Sequence, residues 1–419
     1  MLPAFQDDIV DDPFDFVFPS QCTATRVREK RLLRASNLCY TYKYVVGAAS
    51  CSLPLTSYMV KETAEIELTS DKGLMTEYAF QQLSTFWSEW IHLSCFSPHF
   101  GIRAVAFRTS PRLPGSAQQA LNDFLKLHDP GLDERHNARR AVSNSVGNST
   151  DVVRMAIIME YFESLDVKEW SLLKKSNKLK FEEFMNIAVQ CCLALSELHR
   201  LGLVLNLVDI TTVLIDPQSG LLKVGNYAYT QPLNRQALTW LSTPSGFSVA
   251  PERTRTSPLT ASFALILQPA TFSSDIYALG RLLRGILRHC VEQSDDNLAI
   301  KFAEEFIRPM LLEDPAQRPT AEELLTDERF KDFLELVNVG EIVRRAREMY
   351  ARDATIYGLS KAVSTERSVQ QQLETALSGQ VCFTLTMSPS TSSPTSEHLT
   401  AESGAMDSYL SLLAYLCCR

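Results

Sequence analysis

The chain has 419 residues, 45% hydrophobic and 21% charged, with 41 Lys and Arg against 49 Asp and Glu. That balance supports a globular core. A net charge of −8 argues against a nucleic-acid binder that works by neutralising phosphates. No apolar run reaches about 18 residues, so no membrane span is expected. The 10 cysteines include no Cys-x-x-Cys pair, and reduced thiols in a cytoplasmic protein fit them best.

In chain order, residues 1–25 are acidic with interleaved Phe and Pro, and are expected to be a flexible tail. They lack the basic start and apolar core of a secretory signal. From Arg26 to Glu67 the pattern is that of strands, clearest in NLCYTYKYVV (37–46) and LTSYMVKETAEI (55–66). Thr76–Trp90 predicts an amphipathic helix and Gly101–Arg108 another strand. Residues 109–151 open on Ser and Pro, close on Asn, Ser and Gly, and carry the basic patch ERHNARR. They predict a mobile insertion or long loop with one helix at 117–128. Val152–Glu163 follows as a buried strand that runs out into a polar segment.

Phe181–Arg200 is the clearest helix. Phe181, Phe184, Ala188, Cys192, Leu195 and Leu198 or His199 fall on one face, and Gly202 follows as a stop signal. Thr211–Asp216 and Leu221–Tyr227 read as strands joined by the turn PQSG. Helices resume at Ser273–Cys290, Leu298–Leu311 and Thr320–Glu335. Residues 336–385 predict a helical extension, and 386–419 a low-complexity linker ending in a short helix. Strands first and helices after, with one hairpin inside the helical half, is an α+β pattern.

Several short motifs stand in a fixed order. YMVK at 58–61, IIMEYFE at 157–163 and LHRLGLVLNLVDITTVLID at 198–216 come first. VAPE at 249–252, SDIYALG at 274–280 and DPAQRPTAEELL at 314–325 follow. In this order and near this spacing, residues 26–335 resemble a eukaryotic protein kinase domain. The resemblance implies a bilobal α+β fold. A small β-rich lobe covers about 26–163, with the insertion 109–151, and a larger helical lobe covers about 164–335. It also implies that Lys61 is the strand lysine of the nucleotide cleft, and that Glu77, 16 residues later, is its helix partner.

The catalytic positions depart from the family. Its His-Arg-Asp triplet is replaced by Leu205, Asn206 and Leu207, and the Lys two places on by Asp209. Its metal-binding Asn is replaced by Thr212, and its Asp-Phe-Gly triplet by Asn226, Tyr227 and Ala228. No glycine-rich loop is found. Gly47 lies too close to Lys61, and RASNLCYT at 34–41 has no glycine. Phosphoryl transfer rests on positioning and charge neutralisation. Leu207 cannot accept a proton, and Asn226 and Thr212 are neutral where hard cations want anionic oxygen. Asp209 puts a negative charge where the family faces phosphate with a cation, a repulsion of about 4 kcal/mol at about 4 Å and an effective dielectric near 20.

The positions that hold the family's helical lobe together persist. Glu252 and Arg318 imply a buried ion pair, and Asp275 a hydrogen bond to the backbone of the former catalytic loop. Leu205 and Tyr227 can fill the space between that loop and the neighbouring strand. The resemblance therefore implies a pseudokinase without catalytic residues or a metal site. It would act as a scaffold or allosteric regulator through protein partners, such as an active kinase or a signalling complex. ATP is the candidate ligand, with Lys61 and Glu77 as its binding residues; the same pair also reads as a lobe-positioning salt bridge. The alternative is a divergent ATP-binding protein with weak or atypical serine/threonine kinase activity, using Asp209 or Asp216 as base. The apolar ASFALILQPA (261–270) and the hydroxyls of Thr239, Ser242 and Thr243 are candidates for partner contact and phosphorylation.

Overall fold

A computed structural model describes residues 25–35, 39–48, 55–67, 75–95, 99–110, 113–126, 132–146, 152–164, 166–174, 177–206, 208–210, 212–233, 249–256, 265–267, 270–291, 297–331, 334 and 337–357. The fold is α+β, with an antiparallel sheet in the first part of the chain and helices in the rest, in a bilobal, kinase-like arrangement. The expected tail at 1–25 (but for Thr25), Thr239, Ser242 and Thr243, the 386–404 linker and the terminal helix lie outside the described residues.

The small lobe is one sheet of β1 (Thr25–Ala35), β2 (Cys39–Ala48), β3 (Thr56–Thr63), β4 (Ile66–Glu67), β5 (Ala104–Ser110) and β6 (Val152–Glu160). The order is β1-β2-β3-β6-β4, with β5 also on β6, and every pairing is antiparallel. Period-two alternation assigns the two faces. Tyr44, Tyr58, Val60 and Ile158 share one face and form a small core of their own. Glu62 lies on that face too, held by the Tyr44 hydroxyl and by Lys30 Nζ at 3.1 Å. The opposite face carries Met59, Lys61, Ile157 and Met159.

Helix α1 (Glu77–Cys95) packs its Phe80, Leu83, Phe86, Trp87 and Trp90 into the main core. The insertion differs from the expected long loop with one helix. It forms α2 (Gly115–Lys126) and α3 (Leu132–Val146), and buries Ala117, Leu121, Phe124 and Val142. Asn122 Oδ1 accepts from Trp87 Nε1 at 2.7 Å, and Phe124 meets Phe80 edge-on. The sequence disguised α3 because its mean character is polar: Arg139 of the basic patch reaches Glu77 at 2.9 Å instead of solvent alone.

The helical lobe contains α4 (Val167–Leu172), α5 (Phe181–Arg200), α6 (Phe272–His289), α7 (Asn297–Ile307), α8 (Ala321–Thr326) and α9 (Val339–Tyr357), with short strands β7 (Leu203–Val204), β8 (Val213–Ile215), β9 (Leu222–Val224), β10 (Gln231–Pro232), β11 (Thr254–Thr256) and β12 (Leu265–Leu267). The expected one-faced helix at 181–200 is buried almost all round between Phe184 and Leu198, so it is the central helix of the lobe. Its polar Gln190 accepts from Leu222 N and donates to Gly220 O, which anchors the β8–β9 hairpin. Gly202 ends the helix in the left-handed region at φ 72°, as a C-terminal stop requires. The helix expected over 320–335 is broken, because Asp327 accepts from Arg329 N and starts a separate turn at Glu328–Phe330. Part of ASFALILQPA forms β12, which pairs with β11. The extension forms α9, and 358–385 lies outside the described residues.

Glu252 and Arg318 meet as expected, but only Arg318 is fully buried, and the Glu252 side chain is 23% exposed. Nη1 and Nη2 of Arg318 donate to the two Glu252 oxygens at 2.7 and 2.8 Å. The remaining guanidinium donors go to the Leu312, Ser273 and Glu313 carbonyls, so the fully buried cation is satisfied on every side. Arg318→Ala is expected to lose about 3–5 kcal/mol, because it strands a carboxylate and three carbonyls together; chemical denaturation reads this directly. Gly280 of α6 faces Met310 so closely that an added Cβ would sit 2.8 Å from Met310 Cβ. Gly280→Ala is expected to cost about 1–3 kcal/mol through overpacking, and a melt that matches wild type would contradict that close approach.

Candidate functional site

The sheet brings Lys61 to the lobe boundary. Its ammonium donates to Glu89 Oε2 at 2.6 Å and to Asn226 Oδ1 at 3.4 Å. Burial alone would lower the Lys61 pKa, but the Glu89 carboxylate outweighs it and leaves the pKa above the ordinary lysine value. Lys61 is therefore a cation at neutral pH. The same face presents Lys43 and Met59 on neighbouring strands, and Met59 pairs with Met159. Both methionines are nearly buried, and Lys43 Nζ lies 4.4 Å from the Tyr161 ring centre.

The expected Lys61–Glu77 pair is not made. Glu77 sits in the first turn of α1 and pairs with Arg139. Glu89 lies 12 residues further on, about 18 Å along the axis, so one lysine cannot reach both. The signal for Glu89 was present: it is a lone acid among Phe86, Trp87, Trp90 and Ile91, all buried. A charge inside an apolar stripe needs a partner from another element. β1 ends at Ala35 and β2 begins at Cys39, both within the glycine-free stretch 34–41, and residues 36–38 lie outside the described residues.

Asp275, in the first turn of α6, holds the segment that follows β7. Its Oδ2 accepts from Leu205 N at 2.7 Å and its Oδ1 from Asn206 N at 2.8 Å. His199 is more than a helix-end residue: its Nε2 lies 3.1 Å from Asp275 Oδ2, and its ring stacks on Phe272. Asn206 occupies φ 65°, a region that asparagine tolerates. Its amide donates to Tyr229 O, and its oxygen accepts from Arg253. Leu205 and Tyr227 are both buried in the main core. Leu207 lies outside the described residues.

The polar groups next to this loop are engaged in local turns. Asp209 Oδ1 accepts from Thr212 N, and the buried Thr212 hydroxyl donates to Asp209 O at 2.8 Å. Asp216 accepts from Gln218 N, Ser219 N and the Ser219 hydroxyl, so it caps the β8–β9 turn. Asn226, at φ 62°, gives its oxygen to Lys61. Among the described residues no group of His, Cys, Asp and Glu is placed to hold a metal ion. The adjacent thiols of α5 add nothing reactive, since burial pushes Cys191 up to about 12 and Cys192 higher still. Among the described residues no helix is long and apolar enough to cross a membrane.

Glu89→Ala is expected to destabilise by about 3–5 kcal/mol, because it leaves Lys61 uncompensated in a largely buried site. Glu77→Ala should cost about 1 kcal/mol or less, since its pair with Arg139 is exposed. Urea denaturation of both variants checks the assignment, and equal losses would reject it.

No protein-family model matches the chain. Bradyzoite pseudokinase 1 of Toxoplasma gondii is 27% identical over 157 residues, which cover 35% of this chain and 40% of that protein. The chain thus matches well under half the length of this relative. Beside the sheet order and the loop held by Asp275, this partial and distant similarity points to a kinase-like relationship.

Proposed function

We propose that this protein is a pseudokinase that works through protein–protein contacts, as a scaffold or allosteric regulator, without transferring phosphate. The observation that carries the reading is the split between backbone and side chains at the former catalytic loop. Asp275 still shapes the loop, yet the positions that would act on a substrate are Leu205, Asn206 and Leu207. The nearest acids offer no substitute. Asp209 and Asp216 each accept backbone N–H groups of their own turns. Thr212 spends its hydroxyl on Asp209 O, and Asn226 faces Lys61. The helical insertion α2–α3 and the chain beyond residue 335 supply surface for partners.

Purified protein is expected to show no Mg- or Mn-dependent phosphotransfer above a Lys61→Met control. Leu207→Asp alone should not restore it, because catalytic groups act as a unit. Lys61-dependent labelling above background would overturn the reading.

The retained Lys61–Glu89 pair favours a second, narrower reading, in which the cleft takes ATP without turnover. With no anionic oxygen free for a hard cation at 212 or 226, any ATP-induced rise in melting temperature should be the same in Mg as in EDTA. A rise that appears only with Mg would show that a metal site survives.

A further inference from the structure

Helix α9 bridges the lobes along one continuous face. Its Val339, Ile342, Val343 and Ala346 join the main core, whereas Tyr357, at its far end, joins the small core of the sheet. Tyr350, Asp353 and Tyr357 follow at three- and four-residue steps, so they extend the same stripe. At 19 residues the helix is about 28 Å long, enough to span both lobes.

The polar end of this stripe meets the chain where it passes from one lobe to the other. Tyr161 directly follows β6. Its N–H donates to the Tyr357 hydroxyl at 3.0 Å, and that hydroxyl donates to Ser57 O of β3 at 2.8 Å. Beneath it lies a buried cluster of two cations and two carboxylates. Arg103, just before β5, donates to Glu160 at the end of β6. Lys223 of β9 contacts Glu160 as well, and also Asp353 of α9 at 3.4 Å. All four side chains are at most 6% exposed. Asp353 also accepts from the exposed Arg352 at 3.1 Å. The cluster therefore joins the sheet lobe, the helical lobe and α9 at one point, with Asp353 as the acid that α9 contributes. Tyr350 closes the lower side, with the Arg103 guanidinium 4.2 Å from its ring centre and the His99 ring beside it. His99 in turn pairs with Glu197 of α5.

Lobe closure in two-lobed proteins is ordinarily driven by a ligand bound between the lobes. Here the chain itself supplies interlobe contacts behind the cleft. We propose that α9 is a built-in strap that holds the lobes closed without ligand, so that release of α9, rather than nucleotide binding, governs opening of the cleft. This goes beyond the non-catalytic reading and does not depend on it, since phosphotransfer activity would overturn that reading and leave the strap unaffected.

Hydrogen exchange at the Tyr161 amide and small-angle X-ray scattering of the full chain test the proposal. Tyr357→Phe keeps the ring and removes only the hydroxyl, while Asp353→Asn removes only the charge. In wild type without ligand the Tyr161 amide should be protected and Mg·ATP should add nothing. Tyr357→Phe should speed its exchange about tenfold, the size of one lost hydrogen bond, with the α5 amides unchanged. The double variant should also show a larger radius of gyration. Two results would overturn the proposal: wild type that compacts or gains hinge protection only with Mg·ATP, or variants that match wild type in both measurements. Should the double variant lose α5 protection through misfolding, the Tyr357→Phe result alone decides.

Discussion

The structure depends most on one buried carboxylate. Asp275 is almost wholly enclosed, yet it leaves α6 to accept two backbone N–H groups from the segment after β7. A carboxylate bonded to backbone donors specifies the path of a loop and is indifferent to its side chains. That indifference lets Leu205, which is buried, and Asn206, at positive φ, share one backbone path. His199 braces the same carboxylate from the end of α5, and Arg253 braces Asn206. The loop is therefore held from helices on both sides.

Around that point the molecule keeps buried charges wherever elements from different parts of the chain must meet. Arg318 ties the segment after α7 to Glu252. Glu160 collects Arg103 and Lys223 at the lobe boundary. Lys61 and Glu89 join β3 to α1. Breaking such a pair strands a charge and costs far more than an exposed pair is worth. These pairs, all between protein groups, make the relative placement of elements specific.

The short turns around the cleft follow the opposite logic. Asp209 with Thr212 and Asp216 with Ser219 satisfy backbone donors within a few residues. Such local bonds are the ordinary behaviour of Asp and Thr in turns. A polar residue beside this cleft is thus no sign of chemistry when its oxygen is already shared with its own turn. The cleft face of the sheet adds Met59 and Met159, nearly buried side by side on paired strands.

The sequence by itself determined the elements whose cause is local. The β2 and β3 alternation, the Gly202 stop and the PQSG turn all appear where the pattern placed them. Motif order also determined the meeting of Glu252 with Arg318 and the role of Asp275. Tertiary structure alone decided which carboxylate pairs with Lys61, because Glu77 and Glu89 lie on one helix and only the docking of α1 on the sheet chooses between them. It decided that α3 is packed against the lobe, since that helix is polar in sequence and its Arg139 is taken up by Glu77. It also decided the fate of Lys223, Glu160 and Asp353. They are up to 193 residues apart (353 minus 160) and become neighbours only when α9 closes behind the two lobes. Local propensity acts over a few residues, whereas the pairing of buried charges depends on which surfaces fold onto one another.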